Sequence, residues 1–323
     1  MRGYSALVAF ATTVSTATAV IYQGFNYGSD QMDQTSFETA FKAAQALSGA
    51  PGGGFTSARL YTMIQSGTPD TPISAIPAAI ETKTSLLLGL WISADMTPEL
   101  SALTKAISQY GNDLAKLVVG ISVGSEDLYR ITQIAHDNKE TVAGASPDYV
   151  VQCINQVRNA VKGTALAGTP IGHVDTWNSW DNSSNKMVID NSDWLGTDAY
   201  PYWEATYENT IENSKNLFFD ALSKTNAAAK GKPVWITETG FPVSGKASNK
   251  ATPSVENARK YWKDVGCGLF GTYSTWWFQL SGLSDHGTLD FGLMKSVFNR
   301  GAIDKASPLA LPLVQHREQA QPY

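Results

Sequence analysis

Apolar, β-branched runs alternate along this chain with stretches patterned as helices, and no Gly-rich dinucleotide fingerprint follows the first run. Eight such runs fit within its 323 residues. Together these observations predict an α/β fold, a single-domain (β/α)8 TIM barrel, an architecture that typically occupies about 250 residues. An open doubly wound sheet is the competitor, but the glycines of Gly24-Phe25-Asn26-Tyr27-Gly28 lack the spacing it would need.

The strands are expected to begin near Ile21, Ser57, Ser85, Leu117, Ile171, Trp194, Val234 and Leu269. The helical segment Thr35–Lys42 opens with a capping-box pair, Thr35 and Glu38. Proline near a helix start, where its fixed φ and missing N–H do no harm, recurs in Thr71-Pro72, Thr97-Pro98 and Thr252-Pro253. Gly52-Gly53-Gly54 reads as a short loop before the second strand.

Residues 1–19 have the layout of a secretory signal peptide: Arg2, an apolar stretch from Ala6 to Phe10, then small residues through Ala19. The apolar core is too short for a membrane span, which needs about 20 residues. Cleavage after Ala19 would leave residues 20–305 as the barrel domain and 306–323, with Pro308 and Pro312, as a loosely ordered tail. That tail lacks the hydrophobic end of a GPI signal. A secreted, extracellular or wall-associated protein is expected, and Asn182-Ser183-Ser184 is a sequon compatible with glycosylation. Cys153 and Cys267 are the two cysteines; one lies mid-helix and the other before a strand elsewhere, so a bridge between them is not expected.

A net charge of -5 with 16% charged and 11% aromatic residues argues against nucleic acid, which calls for a basic face. It suits a neutral, hydroxyl-rich ligand, and a monomer is expected. The histidines, His136, His173, His286 and His316, show no metal-ligand spacing. Neither a metal nor a cofactor is expected, and most of the histidines are assigned to the surface or to places behind the site.

Chemistry is signalled where strands stop. Val234-Trp235-Ile236-Thr237-Glu238-Thr239-Gly240-Phe241-Pro242 runs apolar into one carboxylate and then breaks. Such a carboxylate is usually an ion-pair partner. Yet Leu117-Val118-Val119-Gly120-Ile121-Ser122-Val123-Gly124-Ser125-Glu126 repeats the pattern. In a (β/α)8 barrel both would end at the C-terminal face, where active sites form. Two glutamates facing each other without metal ligands suit glycosidic cleavage, and strands four and seven of a narrow barrel predict a separation of about 5–5.5 Å with retention of configuration.

Arg59, a charge inside an apolar run, needs a partner and is expected to meet one of these glutamates. Asp127 is expected to turn away from the cup toward the barrel wall or a helix cap. Asp175 and Asp198 close strands five and six, where they would bind sugar hydroxyls or loop amides. Sugar rings present apolar faces to aromatic platforms; Tyr27, Tyr61, Trp91, Tyr129, Trp177, Trp180, Tyr202, Trp276 and Trp277 fall near predicted strand ends, and about a third of them are expected to touch the ligand, Tyr129 and Trp276 first.

The segments around Glu126 and Glu238 resemble the β-1,3-glucanases of glycoside hydrolase family 17, and most closely the fungal cell-wall endo-glucanases. The similarity extends to Gly24–Gly28, Ala58-Arg59-Leu60-Tyr61, His173–Asn178, Asp198-Ala199-Tyr200-Pro201-Tyr202 and Ser254–Arg259. The resemblance implies a (β/α)8 barrel acting on β-1,3-glucan, with Glu126 as acid/base and Glu238 as nucleophile. It places Tyr200 beside the nucleophile, where its hydroxyl would hold the carboxylate; a core tyrosine is the alternative. Plant relatives carry Asn before the acid/base, where this chain has Ser125, so the partner of the sugar 2-hydroxyl stays open. Relatives often keep a late cysteine that would pair with Cys267, and this chain has none after it. A β-1,3-glucanosyltransferase using the same glutamates is the alternative enzyme. A catalytically silent glucan-binding wall protein is the non-enzymatic one.

Overall fold

Eight parallel strands close on themselves in chain order, β1-β2-β3-β4-β5-β6-β7-β8 with β8 returning to β1. The computed structural model describes residues 20–47, 54–93, 95–281 and 289–294. The expected leader and tail, Gly52, Gly53, His286 and His316 lie outside the described residues. The strands are β1 (Gln23–Tyr27), β2 (Ser57–Leu60), β3 (Ser85–Leu90), β4 (Val118–Ser125), β5 (Ile171–Thr176), β6 (Leu195–Asp198), β7 (Val234–Glu238) and β8 (Thr275–Trp277). Around them run α1 (Gln34–Gln45), α2 (Ala75–Thr82), α3 (Thr97–Ala115), α4 (Asp127–Arg130), α5 (Gln133–Asp137), α6 (Pro147–Val161), α7 (Trp177–Asp181), α8 (Lys186–Asn191), α9 (Ser214–Ala229), α10 (Val255–Tyr261) and α11 (Cys267–Leu269). The expected (β/α)8 TIM barrel is the fold observed.

Seven strands begin within two residues of the expected positions. The eighth does not: Leu269 ends α11, and the strand starts at Thr275. The apolar Leu269-Phe270 pair packs outward, with the Phe270 ring 4.9 Å from that of Phe55 and 5.0 Å from that of Trp262. A short apolar run cannot by itself be told from a buried helix end. The start of α1 is also corrected, because Asp33 caps it by accepting the Ser36 N–H at 2.8 Å, while Glu38 pairs along the helix with Gln34 and Lys42. Pro98 sits in the first turn of α3 as expected, whereas Pro253 precedes Ser254, the N-cap of α10.

Period-two alternation along each strand sends side chains by turns into the barrel and onto the helices. Outward residues join the helices in one large core. Inside, Leu87, Val174, Trp194 and Trp276 form a separate cluster against which Trp235 packs. Trp194 and Trp235 stack at 4.1 Å, and Trp235 lies 5.8 Å from Trp276. Gly120 makes room for this plug, since a Cβ there would stand 2.8 Å from the Trp235 ring. The cavity below the mouth is therefore filled with indole, and polar chemistry is confined to the C-terminal ends of the strands.

Two of those ends are tied together. Asn209, fully buried, donates to the carbonyls of Tyr202 and Ser248 and accepts the Lys250 N–H. Asn249 donates to the carbonyls of Ala205 and Tyr207, and the Tyr202 hydroxyl donates to the Lys246 carbonyl. The loops after β6 and β7 thus share one hydrogen-bonded rim. Cys153, buried in α6, and Cys267 are free thiols. Among the described residues, no helix is long and apolar enough to cross a membrane.

Candidate active site

Glu238 ends β7 and is 9% exposed. A buried carboxylate must be matched by donors, and two elements supply them. Arg59 of β2, 1% exposed, places Nη1 2.6 Å from Glu238 Oε1. Tyr200, just beyond β6, donates its hydroxyl to Oε2 at 2.7 Å. Arg59 is itself held by Asn26 of β1 at 3.0 Å and by the Ser125 hydroxyl of β4 at 3.0 Å. Asn26 in turn donates to the Trp276 carbonyl at 2.9 Å. One guanidinium therefore links β1, β2, β4 and β7 around a single carboxylate.

Glu126 follows β4 at a sharp corner. Gly124 has φ +85° and Glu126 has φ +59°, a left-handed conformation that costs a side-chain-bearing residue about 1 kcal/mol. The corner is held by the Glu126 N–H donating to the Val174 carbonyl at 2.9 Å and by Arg130, whose guanidinium reaches Glu126 Oε2 at 3.3 Å and the Ser125 carbonyl. Gly124 is required there, because a Cβ would lie 2.3 Å from Asp127 Oδ2. Asp127 turns into the wall, accepting the Ser125 N–H and the Ser93 hydroxyl.

The two carboxyls feel each other. Burial first, and then the charge of Glu238, push the Glu126 pKa up to about 8, against the opposing charge of Arg130. A quarter of the Glu126 side chain remains open to solvent, 26% against 12% for Glu238. Asp198 lies beside them, with Oδ1 accepting the Thr237 hydroxyl at 2.7 Å and Oδ2 without a hydrogen-bond partner. Burial and then Glu238 raise its pKa well above the ordinary carboxyl range. The same two causes, in that order, raise the Tyr61 and Tyr200 phenols. The Arg59 guanidinium stacks 4.8 Å from the centre of the Tyr61 ring.

Other expected contact residues divide. Tyr129 and Trp177 are half-buried; the Tyr129 hydroxyl accepts from Asn138, and the Trp177 indole donates to Glu204 at 2.6 Å with the Lys224 ammonium 4.0 Å from its ring centre. Four residues are corrected. Trp276 is fully buried in the barrel plug and donates to the Ser57 hydroxyl, so no sugar reaches it. Tyr27 points outward, its ring edge-on to Phe41 of α1 at 5.1 Å. Tyr202, 1% exposed, spends its hydroxyl on the rim. Asp175 is fully buried and accepts the backbone N–H groups of Leu128, Tyr129 and Thr176, which leaves no oxygen for a sugar hydroxyl. Trp180 and Trp277 are likewise core.

Residues 24–281 match the model of the BtgE/BtgC glycoside hydrolase domain. The chain belongs to that family. A probable glucan endo-1,3-beta-glucosidase of Aspergillus fumigatus is 54% identical to this glycoside hydrolase over 283 residues, covering 86% of this chain and 63% of that protein. The chain thus spans less than two thirds of that relative. A glucan 1,3-beta-glucosidase of Saccharomyces cerevisiae is 27% identical, covering 82% of each. Among solved structures, the glycoside hydrolase family 17 beta-1,3-glucanosyltransferase of Rhizomucor miehei is similar with a TM-score of 0.67 and 25% identity, over 84% of this chain and 92% of that one. An endo-laminarinase of Formosa, at 15% identity, 0.63 TM-score and coverage of 80% and 77%, shares the fold.

Sequence reasoning gave no role to Asn26 or Arg130 in this glycoside hydrolase. Both were within reach: Arg130 is four residues from Glu126, one helical turn on. Asn26 neighbours Tyr27, and since one of two adjacent strand residues faces inward, a polar Asn in a barrel with a charged interior is the better candidate.

Proposed function

We propose that this chain is a secreted, retaining endo-hydrolase of β-1,3-glucan, with Glu126 as acid/base and Glu238 as nucleophile. The observation that carries the reading is the division of labour between the two carboxyls: Glu238 receives an arginine and a tyrosine hydroxyl, while Glu126 has its pKa lifted to about 8. A group so lifted keeps its proton at neutral pH and can give it to the leaving oxygen. In the first step Glu126 protonates the glycosidic oxygen, the C1–O bond breaks, and Glu238 forms an ester to C1. Esterification removes the Glu238 charge, and with it the second-largest cause of the raised Glu126 pKa. Glu126 then takes a proton from water, which displaces Glu238 and restores the β configuration. A separation of about 5–5.5 Å between the carboxyls belongs to this mechanism.

The names of the Aspergillus and Saccharomyces relatives support β-1,3-glucan as substrate. Glu238→Gln is expected to abolish laminarin turnover with the fold intact; appreciable residual hydrolysis would sink the nucleophile assignment. The similarity to the Rhizomucor enzyme favours a second reading, transfer of the glucosyl group to another sugar. Mass analysis of products from laminari-oligosaccharides separates the two, since chains longer than the substrate mean transfer. Secretion rests on the leader at 1–19, and N-terminal sequencing of the exported protein should begin at Val20.

A further inference from the structure

Behind Glu126 lies a histidine that the two-carboxylate mechanism does not use. His173, on β5, is fully buried. Its Nδ1 is 2.6 Å from the Val123 carbonyl oxygen of β4, and its Nε2 is 3.1 Å from Asp175 Oδ2. A carbonyl oxygen only accepts, so Nδ1 carries a proton. Asp175 already accepts three backbone N–H groups, those of Leu128 at 2.8 Å, Tyr129 at 3.2 Å and Thr176 at 2.8 Å. It therefore presents lone pairs to Nε2, which must carry a proton as well. A ring with both nitrogens protonated is an imidazolium.

The groups around it have one use in common. Leu128 and Tyr129 open α4, the turn that Glu126 leads into, and Val123 precedes the strained Gly124. Asp127 of α4, fully buried, faces the same ring and accepts the Ser125 N–H. Trp180 of α7 covers it edge-on at 5.7 Å, and Arg130 is the other cation at the corner. A Cβ on Gly124 would come within 2.9 Å of the ring.

We propose that His173 is a positioning residue held as an imidazolium: it ties the Val123 carbonyl to the Asp175 carboxylate, and through Asp175 to the first amides of α4, fixing the corner from which Glu126 acts. It also balances a negative charge behind the acid/base. The inference rests on the assignment of Glu126 as acid/base. Burial alone would favour the neutral ring, but the hydrogen bond and charge of Asp175, with smaller contributions from Asp127 and Val123, outweigh it and raise the His173 pKa. Asp175 also pushes the Glu126 pKa upward, against Arg130 and Arg59, and losing the imidazolium would leave the Asp175 charge without the cation paired to it.

Nitrogen NMR of histidine-labelled protein between pH 5 and 9 tests the charge without substrate. One ring should keep both nitrogens protonated to higher pH than a free imidazole does, and its signals should vanish in His173→Gln. In laminarin kinetics, His173→Gln should lower kcat about ten- to a hundredfold with KM unchanged. It should also move the alkaline limb of kcat upward by about one pH unit. Adding Asp175→Asn, which removes the anion with the cation, should bring the limb back. A neutral His173 at pH 7, or a single variant whose limb stays in place, overturns the inference. The wild-type spectrum decides the charge even where a variant fails to fold. Wild-type inactivity on laminarin sinks both the glucanase reading and the role at Glu126, whereas an active enzyme with a neutral ring sinks this inference alone.

Discussion

Replacing Glu126 by Gln should make the protein more stable, and increasingly so as pH rises. A carboxyl whose pKa goes from 4.5 unfolded to about 8 folded binds its proton more tightly in the native state. Its contribution to stability is fully present below pH 4.5 and is lost as pH climbs through 8. At about 1.4 kcal/mol per pH unit the full loss is on the order of 5 kcal/mol. Solvent at the partly open side chain, and the sharing of charge with Glu238, reduce this to roughly 2–4 kcal/mol. Gln cannot ionise and keeps the size of the protonated acid, so the comparison isolates this effect. Urea unfolding followed by tryptophan emission, at pH 5 and pH 8 for both proteins, gives the numbers. The gap between variant and wild type should widen by that amount at pH 8. An equal gap at both values would refute the raised pKa and the proton-donor role built on it.

Tyr200→Phe removes a hydrogen bond to a charged group, worth about 1.5–3 kcal/mol, and should lower kcat on laminarin roughly ten- to a hundredfold. An unchanged kcat would return Tyr200 to the core. Arg59→Met strands a buried carboxylate and should cost about 3–5 kcal/mol in urea unfolding, more than any surface arginine. Trp276→Ala should destabilise by about 3–5 kcal/mol while leaving the KM for laminarin as it was; a raised KM would restore it to the cleft.

The barrel was legible because its strands are buried on both faces and so read as continuous apolar runs. The two glutamates were legible for the same reason, each being a charge where such a run stops. The failures have separate causes. Starting β8 at Leu269 put Trp276 at a strand's end, at the mouth, whereas a start at Thr275 puts it beside Gly24 in the floor. Tyr27 and Tyr202 were chosen for nearness to strand ends, but nearness does not say which way a ring points, and alternation sends Tyr27 outward. For Asp175 the sequence left sugar hydroxyls and loop amides both open, and could not choose between them because two of the amides, those of Leu128 and Tyr129, lie more than forty residues away in the chain.

The rim joining the loops after β6 and β7 is fastened mostly through main-chain atoms: Asn209, Asn249 and the Tyr202 hydroxyl address carbonyls, and an exposed ion pair of Lys250 with Glu208 joins side chain to side chain. A fastening made mostly on the main chain leaves an exposed side chain that takes no part in it free to drift. Tyr207, 47% exposed on that rim and held there by its carbonyl, can be exchanged without loosening the loops or disturbing Tyr200 at their root. Descendants of this chain can therefore vary that face of the rim while the seat of Glu238 stays as it is.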